Sequence, residues 1–336
     1  EVRTSTIEYF DIIKLGSGET FADSIFKFQD YDGKLISIRG EITTQIARMM
    51  ATRLCSENRV YYIENCIRFL SPKEIGLREF WQAGAELFGK GEAEEDGEII
   101  SMAIECLEKL GIKANIDIGS ISIFRKIANR FKIEDLDYLR KNISSKSLVA
   151  IKEIINDEKA LEVFTNMVEK RGGIEVIERI VNLGIEEIYE DLKYFEKLFE
   201  IIEAYGYKDR IIVDLSTLRE LKYYNGIVFE IFIEGIGIPI GGGGRYDEMM
   251  KEFGLSIGAT GFAINLDLVV KALEGTIIKK EPTRIYYKEG FLKKAVNLAR
   301  ELRNGGVKCI IAPFKGESDG IILGEENERT NISNTK

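Results

Sequence analysis

Gln82 and Glu86 stand four residues apart in the run REFWQAGAELFG (78–89), with Gly84 midway between them. In a β-strand that spacing turns both side chains and the glycine to one face. An amide and a carboxylate flanking a bare backbone position can hold a polar ligand there. A solvated strand edge is the competing reading, and Phe80, Trp81, Leu87 and Phe88 argue against it. Four consecutive glycines occur in IGGGGRYDEMM (240–250). They read as a loop stripped of side chains, either because strands pack closely or because a small molecule approaches the backbone. Arg245 and Asp247 follow directly, a cation and an acceptor at the edge of a groove, which favours the small molecule. No Gly-Lys-Ser/Thr follows, so the loop is not a nucleotide P-loop. Arg68, inside an apolar strand, needs an anion or a carbonyl if buried. Arg68 and Arg78 are therefore the candidate anion-binding residues. Glu41 opens a predicted helix, where a carboxylate complements the helix dipole and serves as a cap or as a ligand group. Tyr223 and Tyr224 read as sheet residues.

Composition removes several chemistries. There is no histidine among the 336 residues, and the four cysteines are scattered without a CxxC pair. That excludes the usual zinc sites and every histidine-based relay, and no metal or cofactor is expected. Any catalysis would fall to carboxylates, Lys, Tyr or Arg. A net charge of −9 argues against a general affinity for nucleic acid. No apolar run approaches the roughly eighteen residues of a membrane span, and no basic, apolar leader opens the chain, so a cytoplasmic protein without membrane association is expected.

The elements that must position these residues alternate between strands and helices. KLISIRG (34–40) reads as a strand and EITTQIARMMATRL (41–54) as a helix. RVYYIENCIRFL (59–70) and residues 78–89 read as two strands joined by a short loop. EIISMAIECLEKLG (98–111) is a predicted helix stopped by Gly111 and followed by the strand ANIDIGS. From about 123 to 205 the texture changes to charged amphipathic helices. There Ile185, Ile188, Leu192, Phe195, Phe199 and Ile202 recur at three- and four-residue spacing. Strands return with RIIVDLS (210–216) and YYNGIVFEIFIEG (223–235), and a helix is expected from Asp247. The last sixty or so residues form a small α/β unit with a polar end, ENERTNISNTK, expected to fray.

Taken in order, EVRTSTIE, IRGEITTQIARM, YYIENCIRF, REFWQAGAELFG, DLSTLRELKYYNGIVFE and GGGGRYDEMM…IGATGFAINLDL resemble the catalytic core of class II histidyl-tRNA synthetases and their non-synthetase paralogues. The resemblance covers about the first 275 residues. It implies an α+β fold, a class II aminoacyl-tRNA synthetase-like antiparallel sheet flanked by helices. The core would be 1–275 with a helical insertion at about 123–205, and a truncated C-terminal α/β domain would occupy 276–336. Carried over residue by residue, Glu41, Thr43, Gln82, Glu86 and Tyr224 would surround a histidine-like ligand. Tyr223 would lie adjacent and the glycine loop, with Gly242, Gly243 and Arg245, beneath. Arg219 matches the family's arginine before the tyrosine pair, and Arg68 its second-motif arginine.

The departures fall on the nucleotide half. Where active members end in Gly-Leu-Glu-Arg, this chain has Asn265-Leu266-Asp267-Leu268. A glutamate that reads adenine is replaced by Leu70, and the usual Gly-Leu-Asp before the tyrosines is Glu220-Leu221-Lys222. Activation of an amino acid depends on phosphate clamps in its transition state, so a non-catalytic role is expected. The pattern resembles the regulatory subunits of ATP phosphoribosyltransferase. That resemblance implies a short-form catalytic subunit as partner, L-histidine as ligand, a homodimer within a hetero-oligomer, and no tRNA. A divergent synthetase or amino-acid ligase, and an orphan amino-acid-binding paralogue, are the alternatives.

Overall fold

The computed structural model describes residues 1–54, 56–69, 77–219, 221–274, 281–316 and 320–324. Leu70 and Glu220, and the polar end from 325, lie outside the described residues. The chain forms two compact units, Glu1–Leu273 and Glu274–Lys336.

In the first unit, β1 (Ile7–Tyr9), α1 (Phe10–Ser17), α2 (Glu19–Ala22), β2 (Lys27–Gln29) and β3 (Leu35–Ile38) precede α3 (Thr43–Met49). Then come β4 (Asn58–Ile67), β5 (Glu79–Gly89), α4 (Ala93–Glu108) and β6 (Ala114–Ser120). A helical stretch follows: α5 (Ile121–Arg130), α6 (Leu136–Ser144), α7 (Leu148–Ile154), α8 (Glu158–Glu169), the short β7 (Arg171–Gly172), α9 (Glu175–Asn182) and α10 (Tyr189–Ala204). The unit closes with β8 (Ile211–Asp214), β9 (Ile227–Ile233), β10 (Gly241–Arg245), α11 (Asp247–Glu252), β11 (Gly258–Asn265) and α12 (Leu266–Ala272).

Eight strands form one sheet in the order β4-β5-β11-β10-β9-β6-β8-β7, and β1, β3 and β2 form a separate small sheet. The large sheet is antiparallel except between β6 and β8, which run parallel. A parallel pair requires a long crossover, and the helices α5 to α10 are that crossover. The helical insertion is thus the connection the topology demands. Its interior is apolar, with Phe164, Ile177, Phe195 and Ile202 buried. Ion pairs tie it to the sheet: Arg171 holds both Asp117 and Asp214, and Lys146 reaches Asp214 at 2.9 Å.

Three elements differ from the sequence expectation. The run 240–245 is not a loop: Gly241–Arg245 is an interior strand, paired to β9 and β11. Tyr223 and Tyr224 are not strand residues, because β9 begins only at Ile227 and the pair lies in the turn before it. The helix after Glu41 starts at Thr43 and widens to a π-turn over Met50–Leu54. Glu41 precedes it, its carboxylate accepting from the Thr44 amide at 3.0 Å.

The second unit is a three-stranded parallel sheet, β13-β12-β14, with one helix. It comprises β12 (Thr283–Tyr287), α13 (Leu292–Asn304), β13 (Cys309–Pro313) and β14 (Ile321–Leu323). Ile285, Ala295, Ala299 and Leu323 form its small core.

Candidate functional site

The site is one face of the large sheet. Gly84 of β5 lies opposite Tyr62 of β4 and Ala263 of β11, and Ala263 lies opposite Gly242 of β10. Two residues along, Glu86 lies opposite Gly261, which lies opposite Gly244. Directly opposed residues point to the same face. Side by side, then, run a row Tyr62–Gly84–Ala263–Gly242 and a row Glu86–Gly261–Gly244.

Each glycine in these rows is the seat of a neighbouring side chain. A Cβ added at Gly242 would lie 2.1 Å from an Arg219 guanidinium nitrogen, and one at Gly261 would lie 1.8 Å from the Glu86 carboxylate. At Gly84 the Tyr62 hydroxyl is 2.4 Å away, and at Gly244 the Tyr224 ring is 3.1 Å away. Side chains of the site itself, lying flat, occupy the space that the glycines vacate.

Alternation also separates residues that adjoin in sequence. Gly241, Gly243 and Arg245 point to the opposite face, so the structure does not bring Gly243 and Arg245 into the site. Arg245 is buried against α4, bonded to Asp96 at 2.9 Å and to the Glu92 carbonyl at 2.8 Å, with Asp247 at 3.3 Å. Tyr194 of α10 donates to the same Asp96. Arg245 is therefore an ion-pair anchor between sheet and helices. Arg78 is also outside the site: it is exposed and stacks on Phe69, 5.2 Å from the ring centre.

Glu41, Thr43, Gln82, Glu86, Arg68, Arg219, Tyr223, Tyr224 and Gly242 do converge, around an inner chamber of about 40 Å³. That is room for about three ordered waters. Glu86 is buried at its back, accepting from the Thr43 hydroxyl at 2.8 Å and the Tyr246 hydroxyl at 2.6 Å. Burial pushes its pKa up to about 8; the two hydroxyls oppose the rise and the Glu41 charge adds to it. Glu41 is buried too, and accepts from Ser17 at 2.9 Å. Among the described residues, neither carboxylate has a lysine or arginine as ion-pair partner. Tyr223 lies between Tyr224 and Tyr246, its ring centre 4.5 Å from the one and 5.6 Å from the other, with the rings tilted or edge-on. Burial raises the pKa of all three, which keeps them protonated.

Two guanidinium groups line the same chamber. Arg219 donates weakly to the Phe229 carbonyl at 3.4 Å, and its buried Nε has no hydrogen-bond partner. Arg68 donates to the Gly40 carbonyl at 2.6 Å and sits between the rings of Phe21 and Phe80, at 5.3 and 5.2 Å. Gln82 receives the Cys66 thiol on its Oε1 at 3.2 Å, so its NH₂ is what it can offer a ligand. Two acidic side chains without cationic partners and two guanidiniums lining one chamber suit a zwitterion, whose ammonium the acids and whose carboxylate the arginines could take.

Arg68, Gln82, Arg219, Leu221 and Ala263 also border a second, outer chamber of about 590 Å³. Its walls mix apolar side chains with polar ones, Arg68, Arg219 and Glu230 among them, and Leu268 of α12 is one of the apolar ones. Asp267, beside it, accepts the Trp81 amide at 2.8 Å and pins α12 to β5. No cation comes from the Asn265–Leu268 turn, whose Asn265 is spent capping α12 at 3.0 and 3.2 Å.

Sequence reading missed Tyr62, Tyr246 and Ser17. Continuing the alternation from Gly242 and Gly244 would have led to Tyr246. Tyr62 is visible only once the β4–β5 register is known, and Ser17 reaches Glu41 through tertiary packing alone.

Comparison with known proteins agrees with this fold. A family model described as histidyl-tRNA synthetase matches residues 1–269. An ATP phosphoribosyltransferase regulatory subunit from Thermoanaerobacter pseudethanolicus is 34% identical over 320 residues, 91% of this chain and 83% of the relative. One from Clostridium kluyveri is 31% identical over 336 residues, 95% of this chain and 86% of its own. Among solved structures, a Bacillus halodurans protein described as an ATP phosphoribosyltransferase regulatory subunit/histidyl-tRNA synthetase superposes with a TM-score of 0.82 at 29% identity. The match covers 95% of this chain and 85% of that one. A histidine–tRNA ligase subunit from Alicyclobacillus acidocaldarius shares the fold, with a TM-score of 0.72 at 23% identity over 82% of this chain and 87% of its own.

Proposed function

The chain belongs to the histidyl-tRNA synthetase family and, within it, to the ATP phosphoribosyltransferase regulatory subunits, and we propose that it acts as such a subunit without catalysing a reaction itself. In this reading it assembles with a separate, short catalytic subunit, binds L-histidine in the inner chamber, and conveys histidine feedback to its partner. The observation that carries the reading is the inner chamber's polarity: among the described residues, two buried acidic side chains without cationic partners line it together with an arginine whose Nε has no acceptor. Leaving such groups unpaired is costly, and an α-amino acid would satisfy both ends. Leu268 supports the non-catalytic half, because its side chain brings no charge to a transferring phosphate. In the conformation described, the inner chamber is smaller than an amino acid. Entry of histidine therefore widens it; the segments carrying Glu41 and Thr43 and carrying Arg219, Tyr223 and Tyr224 are the walls outside the sheet ladder.

Two measurements on the purified chain test this. Calorimetry with L-histidine should show saturable binding to the chain alone or with its partner, and histidine-dependent pyrophosphate exchange should stay at background. Exchange above background would restore an activating enzyme; absence of heat in both preparations would make the chamber vestigial.

A further inference from the structure

Tyr224, which lines the inner chamber, also lines a separate cavity of about 190 Å³. Three elements converge on it. Arg125 comes from α5, Arg140 from α6, and Lys222 from the turn before the tyrosine pair. Among the described residues, the carboxylate in its lining is Asp137, which faces Lys222 at 3.1 Å and Arg140 at 3.4 Å. The described lining thus holds three cations and one carboxylate. Arg125 makes only a long contact to the Tyr224 carbonyl, at 3.5 Å. Its head remains accessible, yet partial withdrawal from water pushes its pKa down and the Arg140 charge adds to this, with Glu248 partly compensating. Arg140 also donates to the Arg219 carbonyl at 3.2 Å, which fixes it at the rim.

Like charges gathered at one cavity repel, and apolar walls such as Phe124 and Tyr224 strengthen the repulsion by excluding water. The arrangement is stabilised when a compact anion enters. Two guanidinium forks and a flexible ammonium match the oxygens of a phosphate group. We propose that this cavity binds a small phosphate-bearing anion, held by Arg125, Arg140 and Lys222 between helices α5 and α6 and the 221–224 turn. The chain's net charge of −9 disfavours a polyanion such as nucleic acid at the same place, so the occupant is a small molecule. The proposal does not depend on what the inner chamber holds.

The test uses the full chain in chloride buffer and calorimetric titration with inorganic phosphate and, separately, glycerol 3-phosphate. One saturable site is expected. Arg125→Gln and Lys222→Gln should each weaken it about tenfold, the usual order for losing a hydrogen bond to a charged group. Both side chains are exposed, so circular dichroism should be unchanged, and Lys222→Arg should recover most of the affinity. Tighter binding of glycerol 3-phosphate identifies a monoester as occupant and equal or weaker binding identifies free phosphate; either supports the site. Lack of saturation by either probe, or equal binding by wild type and both glutamine variants, overturns it.

Discussion

Glu86 shows how burial decides the charge state of one residue. Its pKa stands at about 8 in the fold against an ordinary 4.5, because burial outweighs two hydroxyl donors. Between those two values the folded protein holds a proton that the unfolded chain has released. Stability is therefore greatest below the lower value and falls as pH rises through the window, by up to about 1.4 kcal/mol per pH unit. Glu86→Gln removes the titration while keeping the shape. Urea unfolding followed across that window should show wild type losing stability relative to the variant as pH rises; parallel profiles would mean that Glu86 is already ionised in the fold. With L-histidine present the gap should narrow, since an ammonium beside Glu86 favours the ionised form that high pH produces.

At the scale of the element, the polyglycine strand shows where sequence reading succeeds and where it stops. Glycine is a poor strand former, so local preference reads 241–244 as a loop. Tertiary pairing with β9 and β11 overrides that preference. Because the segment is a strand, alternation assigns Gly242 and Gly244 to the site and Gly243 and Arg245 to the helices. Reading it as a loop hides that division, which is why Arg245 looked like a ligand group. By contrast, Gln82 and Glu86 were legible, since REFWQAGAELFG has strand character of its own and a period of two is a local property. Tyr223 and Tyr224 were expected in a strand but line the chamber from a turn: β-rich composition does not mark where a turn ends. Two substitutions separate the faces of β10. Arg245→Met leaves Asp96 buried without its cation and should destabilise by about 3 to 5 kcal/mol in urea unfolding, with histidine affinity of the folded protein unchanged. Gly242→Ala displaces the Arg219 head and presses on the Phe229 carbonyl, at 2.1 and 2.3 Å. It should cost about 1 to 3 kcal/mol and abolish histidine binding as well.

For the molecule as a whole, the proposed role requires a partner, because a chain that catalyses nothing can alter a reaction only by biasing another protein between states. We expect co-purification with a short ATP phosphoribosyltransferase catalytic subunit whose activity depends on this chain and falls when histidine is added. Gln82→Ala or Glu86→Gln should leave assembly intact and blunt the inhibition, since both side chains belong to the chamber. A catalytic subunit equally active and equally inhibited without this chain would remove the regulatory reading and favour an orphan amino-acid-binding protein. The same scale explains why the partner surface was not legible in the sequence. An interface is assembled from residues distant along the chain and carries no local period.

The row of glycines beneath Arg219, Glu86, Tyr62 and Tyr224 also bears on how this lineage can change. A floor made of backbone already has the smallest residues the genetic code supplies, so no point mutation can deepen it. Every substitution there adds bulk and evicts a specific side chain above. Adaptation to a different ligand must then come from the walls, whereas loss at the floor is hard to compensate elsewhere and is reversed chiefly by restoring glycine.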